Sequence, residues 1–276
     1  MTGTGHIALR RETVAGTTLL RRPGTANLPP LVLLHGIGSD AASWEPLLRA
    51  LDPQIEAIAW DAPGYYAASA PLTQQAPTPA DYAARLEAIL DELALPRVVL
   101  SGHSLGALFA ASFAASRPGR VTALALLSPA LGYHVPAGAP LPPAVQARID
   151  DLNRLGPAAF AATRAPRLLH RPDTKPQILA GVTRAMAAVR PAGYAQAVRA
   201  LAAGDLQADA ANIAAPTLVA VGAQDVITPP ANAHAAFAAL PRGLRLTEVP
   251  DAGHALPQEA PAAVAALLQD LVGEFA

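Results

Sequence analysis

An α/β fold with a mainly parallel sheet is predicted for this chain by three observations. Short runs rich in Val, Leu and Ile alternate with segments of helical periodicity along most of its length. Most of those runs are apolar throughout rather than alternating, as strands covered on both faces are. Finally, 276 residues with 52 % apolar and 15 % charged side chains are enough to bury one large core. That length suits one larger domain, or a core carrying an inserted subdomain, better than a string of small modules.

The elements follow in order. Ile7–Arg11 and Thr17–Arg22, on either side of Ala15-Gly16, read as an antiparallel pair at the sheet edge. Leu31–His35, Ile55–Trp60, Val98–Gly102, Val121–Ser128, Thr217–Gly222 and Leu244–Val249 read as buried strands. Thr78-Pro79-Ala80-Asp81 supplies a capping hydroxyl, a proline for the first helical position and an acid in the first turn. Tyr82, Leu86, Ile89, Leu90 and Leu93 then recur at helical spacing, and that helix must end before Pro96. Leu105–Ser116 is small or apolar nearly throughout and stops at Arg117-Pro118-Gly119, as a helix buried against the sheet does. From Tyr133 to Ala211 the alternation is lost, and frequent prolines predict an insertion of several short helices. The insertion holds nine basic against five acidic residues, while the rest of the chain carries the opposite sign. No internal repeat of solenoid or propeller period is present.

Charge and composition exclude several functions. With 20 basic and 21 acidic side chains the chain lacks the basic excess on which phosphate binding depends, so no nucleic-acid partner is expected. The absence of cysteine removes disulfides, thiolate nucleophiles and zinc–thiolate sites, leaving oxygen or imidazole chemistry. A single lysine, Lys175, among many arginines and alanines reads as the codon bias of a GC-rich bacterial genome. Met1–Glu12 lacks the apolar stretch of a signal peptide, and no run approaches the roughly 18 apolar residues of a membrane span. A soluble cytoplasmic protein is the expectation; oligomeric state is left open.

The chemistry centres on Gly102-His103-Ser104-Leu105-Gly106, a G-x-S-x-G sequence between a predicted strand and a predicted helix. Such a turn exposes the serine hydroxyl and aims the helix N-terminus at it, so the N–H of Leu105 points where an oxyanion would form. The strand Leu31–Leu34 runs into His35-Gly36-Ile37-Gly38, where the N–H of Ile37 is the candidate second donor. Asp225 lies three residues beyond the strand Thr217–Gly222, and His254 follows the last strand. Both are at C-terminal strand ends, where open α/β sheets place their sites. A serine hydroxyl becomes nucleophilic when an imidazole accepts its proton, and a carboxylate fixes the ring's tautomer. Ser104, Asp225 and His254 are therefore the candidate catalytic residues. His6, His134, His170 and His234 lie in the edge pair, the insertion or a helix; His35 and His103 adjoin the site but follow no strand that could swing them toward Ser104.

Together these residues resemble the α/β-hydrolase superfamily over nearly the whole chain. The pieces that match are His35-Gly36-Ile37-Gly38, Trp44, Asp61-Ala62-Pro63-Gly64, the serine turn, Gly222-Ala223-Gln224-Asp225 and Gly253-His254. The resemblance implies an eight-stranded, mostly parallel sheet with the second strand antiparallel and helices on both faces. It also implies a helical lid at 133–211 over a core formed by 1–132 and 212–276. Arg190-Pro191-Ala192-Gly193-Tyr194 and Ala200–Leu206 are similar to the lid of 3-oxoadipate enol-lactonases. Three positions depart from relatives. Tyr66 stands where a second glycine is usual; Ala255 follows His254, where carbon–carbon bond hydrolases often carry tryptophan; and Ser104 replaces the aspartate of haloalkane dehalogenases and epoxide hydrolases.

The expected activity is cofactor-free serine hydrolysis of a small ester or lactone through an acyl-enzyme. Trp44, Tyr133, Phe160 and Tyr194 are candidates to line the substrate pocket, and Arg190 to meet a substrate carboxylate. Three other readings stand beside it: a carbon–carbon bond hydrolase of the same fold, a non-catalytic ligand-binding protein on this scaffold, and a dinucleotide site at Gly36-x-Gly38-x-x-Ala41 with Asp61.

Overall fold

A computed structural model describes residues 8–66 and 69–275. The edge pair and the apolar runs become eight strands: β1 (Arg10–Val14), β2 (Thr17–Arg22), β3 (Leu31–Leu34), β4 (Ala57–Trp60), β5 (Val98–His103), β6 (Val121–Leu127), β7 (Thr217–Gly222) and β8 (Gly243–Val249), the last an edge strand that is largely exposed where a buried one is expected. They form one sheet in the order β1-β2-β4-β3-β5-β6-β7-β8, in which β2 is antiparallel to both neighbours and every other pair is parallel. The first strand starts later than the expected Ile7–Arg11. Ala15 and Gly16 both have positive φ, which closes a two-residue hairpin, and pairing runs back from Val14↔Thr17. Ile7 and His6 lie outside the described residues, as do Ala67 and Ala68 in the loop after Gly64.

The helices are α1 (Glu45–Ala50), α2 (Pro79–Glu92), α3 (Leu105–Ser116), α4 (Pro143–Arg164), α5 (Pro176–Ala187), α6 (Pro191–Ala203), α7 (Leu206–Ala210), α8 (Pro230–Ala238), α9 (Leu256–Glu259) and α10 (Pro261–Glu274). Strand alternation divides the core between the two faces of the sheet. Leu31 and Leu33 of β3 pack with Leu47 and Leu48 of α1 and Leu268 of α10. Val32 and Leu34 pack with Leu86 of α2 and Phe109 of α3 on the other side. The start of α2 is fixed as its sequence predicts: Asp81 Oδ2 accepts from the Thr78 N–H at 2.7 Å, and Pro79 opens the helix.

Between β6 and β7 the chain leaves the sheet and builds α4–α7. The segment is built of several helices, as its sequence predicts; α4 itself is two helices in succession, broken at Gly156 (φ 73°, ψ 160°) just before Pro157. Prolines 143, 176 and 191 open helices rather than break them, sitting in the first turn, where no N–H is needed. The two ends of this segment meet in a clasp. Gly132 pairs with Asp205, the His134 N–H donates to the Gly204 carbonyl (3.1 Å), and the Leu206 N–H to the Leu131 carbonyl (2.9 Å). Gly132 has φ +89°, and a Cβ there would overlap the Gly204 carbonyl, so only glycine fits. Among the described residues no helix is long and apolar enough to cross a membrane.

Candidate active site

Loops at the C-terminal ends of β5, β7 and β8 meet around Ser104. The serine follows β5 directly and precedes α3, with φ 53° and ψ −115°, a conformation that L-residues rarely adopt. The flanking glycines make this turn possible. A Cβ on Gly102 would overlap the Gly106 carbonyl, and one on Gly106 the Leu34 carbonyl of the neighbouring strand. Chain and helix therefore pass at backbone contact, and the hydroxyl is left at the mouth of the turn.

His254 Nε2 lies 3.0 Å from Ser104 Oγ, and His254 Nδ1 lies 2.8 Å from Asp225 Oδ2. All three residues are at most 5 % exposed. Asp225 is held from several sides: its Oδ1 accepts the N–H groups of Ile227 (2.8 Å) and Thr228 (2.9 Å), and Thr228 Oγ1 is 3.0 Å from Oδ2. Burial on its own would raise the Asp225 pKa, but the hydrogen bond and charge of His254 and the two N–H donors outweigh it, leaving the carboxyl below its ordinary value. A carboxylate can only accept here, so His254 Nδ1 carries the ring proton and the Nε2 lone pair faces the serine hydroxyl. That arrangement can take up a proton from Ser104 as its oxygen attacks an electrophile.

The loop after β3 forms the opposite wall. The Gly36 carbonyl accepts from the Ser39 N–H (3.2 Å) and Gly38 has φ +74°, a β-turn of the kind that needs glycine third. This turn presses on the serine: a Cβ on Gly36 would come within 2.9 Å of Ser104 Cβ. Ile37 and Leu105 both border the cavity beside Ser104, and the described hydrogen bonds occupy neither N–H. Leu105 is the first residue of α3, so its N–H belongs to the unsatisfied, electropositive end of the helix.

Two buried histidines hold these loops. The Ala62 N–H donates to His35 Nε2 (2.9 Å), so Nδ1 carries the proton and donates to the Gly36 carbonyl (2.8 Å). Burial lowers the His35 pKa, and the ring stays neutral. His103 Nε2 donates to the backbone carbonyl of His254 (2.7 Å), and burial together with the neighbouring imidazole of His254 pushes its pKa down to about 3. His103 thus fastens the loop of His254 to the serine turn without titrating near neutrality.

A cavity of about 430 Å³ opens on Ser104, Ile37, Leu105 and His254, within the ordinary range for small-molecule sites. Of the expected lining residues, Tyr133 and Tyr194 reach it. The other three do not. Trp44, at the end of a short 3₁₀ turn (Ala41–Trp44), is turned into the core and packs edge-on to His103 at 6.4 Å. Phe160 is fully buried one layer behind the wall, against Tyr194 (5.5 Å). Arg190 precedes α6 in extended backbone, its N–H bonded to the Tyr65 carbonyl (2.9 Å) and its side chain exposed away from the cavity. The basic wall residues are instead Arg148, Arg164 and Arg167. Thr228 was also not foreseen, although a Thr three residues after an Asp in a turn is a readable side-chain-to-backbone signal.

The alternative dinucleotide reading fails on geometry. Gly36 is packed on Ser104 and Gly38 on Met186. Asp61 is spent on the Ala41 N–H (2.8 Å) and Arg11 (3.1 Å). Among the described residues no group of three metal-ligating side chains occurs.

Comparison with known proteins agrees with this architecture. Residues 29–261 match the family model described as alpha/beta hydrolase fold. A putative carbamate hydrolase RutD of Klebsiella pneumoniae (strain 342) is 30 % identical over 246 residues, 82 % of this chain and 85 % of that protein. The 3-oxoadipate enol-lactonase 2 of Acinetobacter baylyi is 26 % identical over 74 % of each chain. A poly(3-hydroxyalkanoate) depolymerase of Ectopseudomonas oleovorans is 37 % identical, but over only 43 % of this chain and 41 % of that protein. Among solved structures, the enol-lactonase from Burkholderia xenovorans LB400 superposes with a TM-score of 0.84 at 26 % identity, covering 96 % of this chain and all of that one. The chain belongs to the α/β-hydrolase family and is enol-lactonase-like in both sequence and structure.

Proposed function

We propose that this hydrolase cleaves a carboxylic ester or lactone through an acyl-enzyme on Ser104. The observation that carries the reading is the hydrogen-bonded line from Ser104 Oγ through His254 to Asp225, at 3.0 and 2.8 Å. His254 takes the serine proton during attack and returns it to the leaving alcohol, while Asp225 holds the ring and balances its charge. The N–H groups of Ile37 and Leu105 receive the oxyanion; losing one such donor typically costs about 10²–10³ in turnover. Water activated by the same imidazole then releases the acid and restores Ser104. Residues 133–211 act as the lid, since α4–α6 supply much of the cavity wall.

Steady release of p-nitrophenol from p-nitrophenyl acetate or butyrate tests this reading. Ser104→Ala is expected to lower turnover by about 10⁴–10⁶. A Ser104→Ala protein as active as the parent overturns it. A carbamate is the second reading, favoured by the 30 % identity to the putative carbamate hydrolase, because the same attack on a carbonyl carbon serves both bonds. Faster turnover of phenyl carbamates than of matched esters would select it.

A further inference from the structure

The cavity that opens on Ser104 is lined by three cations and by no Asp or Glu. Arg148 and Arg164 belong to α4, and Arg167 follows shortly after it. Their charge is left largely uncompensated. The carboxylate nearest Arg164 is Asp151, whose Oδ2 is 3.5 Å away and whose Oδ1 is held by Arg154 at 2.8 Å. Among the described residues no ion pair is made by Arg148 or Arg167. Arg148 is half-buried, close to the Tyr194 hydroxyl. Arg164 lies over the Phe160 ring at 4.7 Å, which orients its guanidinium plane.

A guanidinium stripped of part of its water is poised for an anion when it has no counter-ion, as at Arg148, or only a long contact to a carboxylate shared with another arginine, as at Arg164, and its planar fork matches a carboxylate in particular. Leu131, Leu168, Met186 and Leu201 make the same wall apolar elsewhere, so the space beside the serine suits a short hydrocarbon chain. We propose that Arg148 and Arg164 form a carboxylate subsite, and that the substrate is an ester or lactone bearing a free carboxylate a few carbons from the scissile carbonyl. The inference rests on Ser104 being the nucleophile of an ester or lactone hydrolase and adds the charge of its substrate.

The test compares kcat/KM for the p-nitrophenyl half-ester of glutaric acid with that for p-nitrophenyl valerate, an uncharged acyl chain of the same length. The charged substrate is expected to be favoured at least tenfold by the parent protein. That ratio should fall about ten- to a hundredfold in Arg148→Gln and Arg164→Gln, the loss expected for a charge-assisted hydrogen bond. Arg148→Lys, which keeps the charge without the fork, should lie between, and Arg190→Gln, outside the cavity, should keep the parent ratio. A parent ratio near one, or a ratio unchanged in both Gln variants, overturns the subsite while leaving the hydrolase reading intact. Calorimetric titration of Ser104→Ala protein with glutarate decides the matter without turnover. Saturable binding weakened by Arg148→Gln supports the subsite; no binding, or binding matched by inorganic phosphate and indifferent to Arg148, overturns it. Failure of both esters to react in the parent protein would count against the nucleophile alone.

Discussion

The ammonium of Lys175 stands 2.7 Å from Oε1 of Glu259, a side chain with no solvent exposure. The same carboxylate accepts the N–H groups of His170 (2.9 Å) and Gly253 (2.8 Å), and Lys175 also reaches the Asp251 carbonyl (2.8 Å). One acid on α9 therefore ties the loop that carries His254 to the segment leading into α5. A compact ammonium with freely turning donors suits this crowded junction better than a guanidinium fork, and it is here that the chain keeps its single lysine.

Lys175→Met leaves the Glu259 carboxylate buried without its cation. The expected cost lies toward the lower end of the roughly 3–5 kcal/mol seen when one partner of a buried pair is removed, because a fifth of the lysine side chain reaches solvent. Urea unfolding measures it. A loss under about 0.5 kcal/mol would place the pair with ordinary surface ion pairs.

Ser104 is held at φ 53°, ψ −115°, where only glycine is comfortable. Ser104→Gly should therefore be more stable than Ser104→Ala by about 1–2 kcal/mol, although both lose the hydroxyl. Equal denaturation midpoints for the two variants would show that no strain is stored at this turn.

Burial, helped by the nearby Asp205, pushes the Asp209 carboxyl up to about 6. The folded protein thus prefers the protonated form, so this group's contribution to stability is full below its unfolded value and declines as pH rises through about 6. Asp209→Asn imitates the neutral acid. It should raise Tm at pH 7.5, by roughly 2–4 °C for each kcal/mol recovered, and the gain should shrink toward zero at pH 4. A gain independent of pH would contradict the assignment.

Much of this architecture is legible in the sequence because it is written locally. Buried strands announce themselves as short Val, Leu and Ile runs, and Thr78-Pro79-Ala80-Asp81 spells out a helix start that the structure places at Pro79, with the Thr78 N–H and hydroxyl both donating to Asp81. Ser104, Asp225 and His254 stand out because strand ends in a parallel sheet converge on one edge, so position after a strand already implies proximity. What the sequence hides is decided by rotation and by distant partners. Trp44 and Phe160 are as apolar as any pocket residue, and which way each faces depends on the turn or helix that carries it. Arg190 and Arg164 look alike in a list of charges, but the arginines that reach the cavity are Arg148 and Arg164 of α4 and Arg167 just after it. Glu259 is silent in the sequence, since its partners lie six to 89 residues away and belong mostly to backbone.

The clasp at Gly132 and Asp205 brings the two ends of the α4–α7 segment side by side. An excursion that returns to its own starting point leaves the sheet indifferent to how many residues it contains, since loop closure grows dearer only slowly with length. The α4–α7 segment is in that sense a candidate for exchange. A shorter or foreign helical hairpin spliced at those two positions is a direct route to new selectivity, provided that it rebuilds the contacts by which Leu168, His170 and Lys175 steady the loop of His254.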